Sequence, residues 1–329
     1  MRHTKFIGLL AATLLVQSCG NISLFETSFE RNGDSVFDRF NNSDIKSNKI
    51  NSENWTLVWS DEFNGSQLDR EKWIPETSCW GGGNNEKQCY TDRPDNIRLE
   101  DGVLKLIAKA ETFTGLEMPQ DWKDRGAEIT QPYSSGKVRT KGLASWQYGR
   151  FEASIKLPKG QGTWMAFWMM PEIDTYGTWP LSGEIDIVES VNLGAVCDDC
   201  EGNEDENRSI AALHFGNSWP HNQFKSTRPS IAGLTNKFNR FAVEWEQDEI
   251  KWFVNEELVF SITAKEWFTA AVDKSENPYA PFDHPFYIMF NLAVGGHLSD
   301  SQNEKQFNPN SFPNELLVDW VRVYQRDLD

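Results

Sequence analysis

The sequence predicts an all-β sandwich. Three observations carry that expectation. From Trp55 onward, short segments of alternating character follow one another, separated by Gly, Pro, Asn and Asp. Aromatic residues make up 13% of the chain, with 14 Trp and 21 Phe, which suits large sheet cores. No helical stripe of useful length appears, and "TAKEWFTAAV" offers one or two turns at best.

In chain order the predicted strands are "GVLKLIAKA", "YGRFEASIKL", "GTWMAFWMM", "GEIDIVES", "SIAALHFG", "NRFAVEWE", "IKWFVNEELVFSI", "FYIMFNLAV" and "LLVDWVRVYQ". "IKWFVNEELVFSI" reads as a hairpin turning near Asn255–Glu256. Many segments are apolar or aromatic on both faces, as when one face meets the core and the other lines a groove. In "TWMAFWMM", Met165, Phe167 and Met169 share the core side. Trp164, Ala166 and Trp168 share the other, where two indoles flank a small residue and leave room for a flat guest. In "SIAALHFG", Leu213 and Phe215 point one way, and Ala212 and His214 the other. A lone strand histidine can be a satisfied structural residue or, beside acids, a functional one.

"GEIDIVES" holds Glu184, Asp186 and Glu189. Ile185 and Ile187 form its core face, so Glu184 and Asp186 face away. Strict alternation would bury Glu189, where an unpaired carboxylate is costly. A β-bulge near Val188 returns it to the face of the other two. Three neighbouring acids disfavour joint ionisation, so at least one pKa rises. Retaining glycoside hydrolysis needs that pattern: an ionised nucleophile and a protonated acid about 5–5.5 Å apart. A calcium site and a solvated sheet face are the other readings of the same acids.

The net charge of −17 argues against nucleic acid as a partner, and polyanionic substrates are disfavoured. There is no repeat, P-loop, GxGxxG or HExxH. Residues 1–19 read as a signal: basic Arg2, His3 and Lys5 precede an apolar run too short to span a bilayer. The run ends in "LVQSC", which resembles the bacterial lipobox. An acylated Cys19 and an exported, outer-membrane lipoprotein are expected; an ordinary secretory signal is the alternative. Residues 20–53, rich in Asn and Ser, read as a tether that as a flexible coil spans roughly 30–35 Å. Residues 54–329 are the catalytic domain, expected to be a monomer. The other cysteines are Cys79, Cys89, Cys197 and Cys200. Local disulfides, Cys79–Cys89 and Cys197–Cys200, are expected in an exported chain; a zinc site made by all four is the alternative.

"GEIDIVES" resembles the E-x-D-x-x-E signature of glycoside hydrolase family sixteen in its bulged form. "LVWSDEFNGSQLDREKW", "CWGGGNNEKQCYTDRPDNIRLEDGVLKLIAK", "YSSGKVRTKG", "YGRFEASIKLPKGQGTWMAFWMMP", "LHFGNSWPHNQ", "NLAVGG" and "VDWVRVYQ" extend the likeness over nearly all of 55–325. Their order is similar to that of bacterial laminarinases, endo-β-1,3-glucanases.

The resemblance implies a β-jelly-roll of two curved antiparallel sheets with an open cleft on the concave face. It implies Glu184 as nucleophile, Glu189 as general acid/base and Asp186 as the acid that tunes them. Asn85, Arg150, Trp164, Trp168, His214 and Trp219 would lie along the sugar-binding cleft. A structural calcium would take Glu62, Gly102 by its carbonyl, and Asp319; no cofactor serves the chemistry. The substrate implied is a laminarin-like β-1,3-glucan, with mixed-linkage glucan beside it. Galactans such as agarose or porphyran are one alternative, and a non-catalytic glucan-binding role is another; the intact acids speak against the latter. The chain departs from the pattern at Ser154, at Met165 and in the acidic insertion 195–208, which bear on substrate preference.

Overall fold

The computed structural model describes residues 55–197, 200, 205–301 and 308–326. The expectations for Cys19 and the 20–53 tether lie outside the described residues. The strands are β1 (Thr56–Asp61), β2 (Ile74–Pro75), β3 (Gln88–Tyr90), β4 (Ile97–Glu100), β5 (Val103–Ala108), β6 (Phe113–Leu116), β7 (Glu128–Gln131), β8 (Tyr133–Ser135), β9 (Lys137–Arg139), β10 (Gly149–Lys156), β11 (Thr163–Pro171), β12 (Glu184–Val191), β13 (Ile210–Gly216), β14 (Asn222–Thr227), β15 (Asn239–Trp245), β16 (Glu249–Val254), β17 (Glu257–Thr263), β18 (Phe286–Val294) and β19 (Asn314–Gln325). All nine segments expected from alternation are strands. "TAKEWFTAAV" forms no helix, and the α-helix among the described residues is the short His297–Ser301.

Two antiparallel sheets carry the architecture. An eight-stranded sheet runs β17-β16-β15-β10-β19-β5-β4, with β1 also paired to β19. A seven-stranded sheet runs β14-β13-β12-β11-β18-β9-β2. The core lies between them. Phe151, Ala153 and Ile155 of β10 and Phe241, Val243 and Trp245 of β15 come from the first sheet. Met165, Phe167 and Met169 of β11, Leu213 and Phe215 of β13, and Ile288, Phe290 and Leu292 of β18 come from the second. Phe167 stacks on Phe290 with ring centroids 4.4 Å apart. Truncating such a ring to Ala costs about 3–5 kcal/mol.

The β16–β17 hairpin turns at Asn255 and Glu256, with φ of 50° and 72°. Two successive positive φ values match the right-handed twist of the flanking strands. The side chain of Asn255 supports the turn by accepting from Arg240 N at 3.0 Å.

Because the inward side chains of the seven-stranded sheet are consumed by the core, its other face presents the alternate residues. These are Phe224, His214, Glu184, Asp186, Glu189, Trp164, Trp168, Asn291 and Lys137, on five neighbouring strands and β9.

Candidate active site

The bulge expected near Val188 is present in both ladders of β12. On the β11 side the register slips so that Val188 faces Phe167 while Asp186 faces Trp168. On the β13 side it slips between Asp186 and Glu189. Ile185, Ile187 and Val188 all enter the core. Two consecutive apolar residues therefore turn inward, and the three acids share the outward face. Small residues stand opposite them: Ala212 across from Asp186 and Ala166 across from Glu189.

Each acid has its own partner. The indole N–H of Trp179 donates to Glu184 Oε2. Trp164 Nε1 donates to Glu189 Oε1 at 2.8 Å. His214 Nε2 lies 3.3 Å from Asp186 Oδ2. Burial pushes the Asp186 carboxyl well above the usual range, and the charges of Glu184 and Glu189 add to the effect. Burial also raises Glu189, against the Trp164 hydrogen bond and the positive charge of His214. For His214, burial opposes protonation, but the bond to Asp186 and the charges of all three acids outweigh it and push the imidazole up to about 9. A cation at neutral pH thus faces an acid that holds its proton more tightly than an ordinary carboxyl. The raised carboxyl of Glu189 suits the acid that double displacement requires.

A pH dependence follows. Protonated Glu189 is present below its raised pKa and is lost as pH rises through it, so the alkaline limb of kcat/KM reports this group. Trp164→Phe removes a hydrogen bond that lowers that pKa, and the limb is expected to move to higher pH. His214→Asn removes a positive charge and is expected to move it the same way. A limb that moves to lower pH in both variants would assign it to another group.

Trp168 stands beside this centre, with Nε1 donating to Asn291 Oδ1 at 2.7 Å. Trp219 is 69% exposed in the turn after β13, at the end where His214 lies. Phe224 of β14 stacks on His214 at 5.6 Å and extends that aromatic rim. Asn85 is exposed at a loop tip with φ of 60°. Its neighbour Asn84 donates to Glu86 Oε1 at 3.3 Å. The loop abuts Gly296, where an added Cβ would meet Glu86 Cγ and the Trp164 ring at 3.0 Å each. That close approach places the loop at the Trp164 end of the cleft.

Arg150 does not line the cleft. Phe151 beside it points into the core, so Arg150 faces outward, and β10 belongs to the eight-stranded sheet rather than the one carrying the acids. Its side chain is buried in ion pairs with Glu152 at 3.2 Å and Glu244 at 2.9 Å, under the ring of Phe253.

Of the expected calcium ligands, Asp319 lies on β19 and Glu62 directly follows β1. Along β19, β5 pairs up to Val318 and β1 pairs from Val321, so Asp319 sits at the junction of first and last strands. Gly102 lies in the turn between β4 and β5, near Asn64. The carboxylate of Glu62, however, accepts from Arg322 Nε and Nη2 at 2.9 and 2.8 Å, and this guanidinium occupies it. Asp319 supplies a carboxylate, an oxygen ligand of the kind calcium accepts, and its Oδ2 accepts from Ser154 Oγ at 3.3 Å.

The four cysteines form two separate bridges, Cys79–Cys89 and Cys197–Cys200, rather than one cluster. The second braces the described part of the insertion, where buried Glu206 pairs with Arg208 at 2.7 Å.

Sequence reasoning missed Trp179, Phe224, Asn291, Tyr90 and Lys137. Trp179 lies in a loop, where no periodicity points to a partner; its closeness to Glu184 in the chain was the available signal.

A family described as beta-porphyranase A-D, GH16 domain, matches residues 38–326. The glucan endo-1,3-beta-glucosidase A1 of Niallia circulans is 38% identical over 280 residues, covering 82% of this chain and 38% of that protein. The chain thus spans well under half of this relative. A beta-glucanase of Rhodothermus marinus is 37% identical over 275 residues, covering 82% of this chain and 85% of its own length. The solved laminarinase from Rhodothermus marinus superposes with a TM-score of 0.65 at 33% identity, over 83% of this chain and 98% of that one.

Proposed function

The chain belongs to glycoside hydrolase family 16, and we propose that it is a retaining endo-β-1,3-glucanase acting on laminarin-like glucan, with mixed-linkage glucan as a secondary substrate. The observation that carries this reading is the bulged strand β12, which sets Glu184, Asp186 and Glu189 on one face with the Glu189 pKa raised.

In the first step Glu184 attacks the anomeric carbon and forms a glycosyl ester. Glu189 gives its proton to the departing glycosidic oxygen. In the second step Glu189 takes a proton from water, whose oxygen attacks the same carbon and releases Glu184. Trp164 and His214 stabilise Glu189 while it is anionic between the steps. Asp186 sits between the two glutamates beside His214, whose positive charge lowers the proton affinity of Glu189.

The test is a product profile on laminarin, mixed-linkage glucan, agarose and porphyran, with proton NMR of the first product. Laminarin oligosaccharides released as the β-anomer are expected. Initial α-anomer would overturn the mechanism. Cleavage of the galactans alone would favour the second reading, to which the porphyranase description of the matching family points.

Two further features belong to this proposal. A calcium ion held by Asp319 and the carbonyls of Gly102 and Glu62 would tie the first strand to the last and take no part in the chemistry. EDTA is expected to lower the melting temperature by roughly 5–10 °C and to leave the rate below it unchanged. An immediate loss of rate at constant melting temperature would count against a structural role. Acylation of Cys19 would hold the domain on a membrane through the 20–53 tether, where an endo-acting enzyme trims polymers for uptake. Palmitate labelling that survives Cys19→Ser would refute it.

A further inference from the structure

Trp168 is the partly exposed indole nearest Asp186 in register, and its ring is held from two sides by groups that the chemistry above does not use. In the β11–β18 ladder Trp168 faces Met289, while Asn291 faces Ala166. The bond from Trp168 Nε1 to Asn291 Oδ1, at 2.7 Å, is therefore diagonal. Diagonal neighbours on one sheet face are within reach of long aromatic side chains. The indole leans along the strand toward the row of Ala166, which is the row of Glu189.

Asn291 is itself fixed. It is 7% exposed, and its Nδ2 donates to the Tyr90 hydroxyl at 3.1 Å. Tyr90 comes from β3, outside the seven-stranded sheet, so this amide joins the cleft floor to a wall element. Lys137, opposite Asn291 on β9, places Nζ 5.1 Å from the Trp168 ring centroid and 5.6 Å from that of Tyr90. Glu76 anchors that ammonium at 3.1 Å. The indole is thus fixed at its N–H edge and covered by a cation.

We propose that Asn291 is a positioning residue that sets the plane of Trp168, so that a pyranose ring stacked there lies in line with the acids. The inference rests on the glycan-hydrolase reading of the cleft, though not on which glycan is cut. A free indole could turn over Ala166, the small residue that keeps space open beside Glu189. Asn291 accepts from Trp168 and donates to Tyr90, so it acts through Trp168.

The test is a double-mutant cycle of Asn291→Leu and Trp168→Phe, measured on whichever polymer the wild-type protein cleaves. A wrong substrate assignment then leaves the cycle readable. Asn291→Leu is expected to raise KM by roughly 3- to 15-fold, the scale of one net hydrogen bond, with kcat changed about twofold or less. Phe lacks the indole N–H, so Asn291→Leu in the Trp168→Phe background is expected to change KM by no more than about 1.5-fold. Tyr90→Phe removes the anchor of the amide and retains the ring; a smaller rise in KM is expected, and this variant carries the test if Asn291→Leu fails to fold. Equal effects of Asn291→Leu in both backgrounds would overturn the proposal. So would a fall in kcat at unchanged KM, or a Tyr90→Phe variant with wild-type KM.

Discussion

Glu184→Gln is expected to lower kcat on laminarin by roughly four to six orders of magnitude, the scale seen when a covalent nucleophile is removed. The fold has no reason to change. The amide is the same size as the carboxylate, and its carbonyl oxygen can still accept from Trp179 Nε1, which donates to Glu184. What is lost is the ionised oxygen that forms the glycosyl ester, and no neighbour can replace it. Asp186 holds its proton more tightly than an ordinary carboxyl because it is buried between two other acids. Glu189 is offset by the bulge and is tied to Trp164. Mass spectrometry with a 2-fluoro glycosyl donor would show the covalent adduct on the wild-type protein and none on the variant. Activity within about tenfold of wild type, at unchanged melting temperature, would place the nucleophile elsewhere.

How far the site was legible before the structure varied with the kind of contact. Alternation placed Trp164, Ala166 and Trp168 on one face because a strand's period is short and strict, and one core residue orients the whole segment. The bulge was legible because burying an unpaired Glu189 is expensive, and one extra residue is the cheapest remedy. The Asn255–Glu256 turn was legible from its neighbours in the chain. Arg150 failed for a different reason. Its side relative to Phe151 follows from the period, but the sheet to which β10 belongs depends on pairing with β15 and β19, which are far away in sequence. The partner of the Glu62 carboxylate was hidden likewise, since the guanidinium that claims it comes from Arg322 at the other end of the chain. Asn291 was hidden in "FYIMFNLAV", a strand buried along its whole length, where no polar alternation marks the cleft side. Local patterns reveal faces; partners reached through long-range pairing need the topology.

Glu189→Ala is expected to divide by leaving group. On polysaccharide, where the departing sugar oxygen needs a proton, kcat/KM should fall by roughly 10²- to 10⁴-fold, the usual contribution of a positioned acid. On aryl glycosides with acidic phenols the first step needs no proton, so glycosylation of Glu184 should remain near the wild-type rate. The ester then accumulates, because no base activates water. Glu189 already faces the small Ala166, and truncating it opens further room on the side from which water attacks. Azide, which needs no general base, can enter there, displace Glu184 and leave a β-glycosyl azide. In Glu184→Gly the gap lies on the opposite side of the sugar, so azide displaces the leaving group directly and gives the α-azide. The two products differ in one stereocentre and are told apart by the anomeric proton coupling. If the two variants gave the opposite azides, the nucleophile and the acid/base would have to exchange places along β12, and the raised pKa of Glu189 would then belong to the wrong partner for the chemistry.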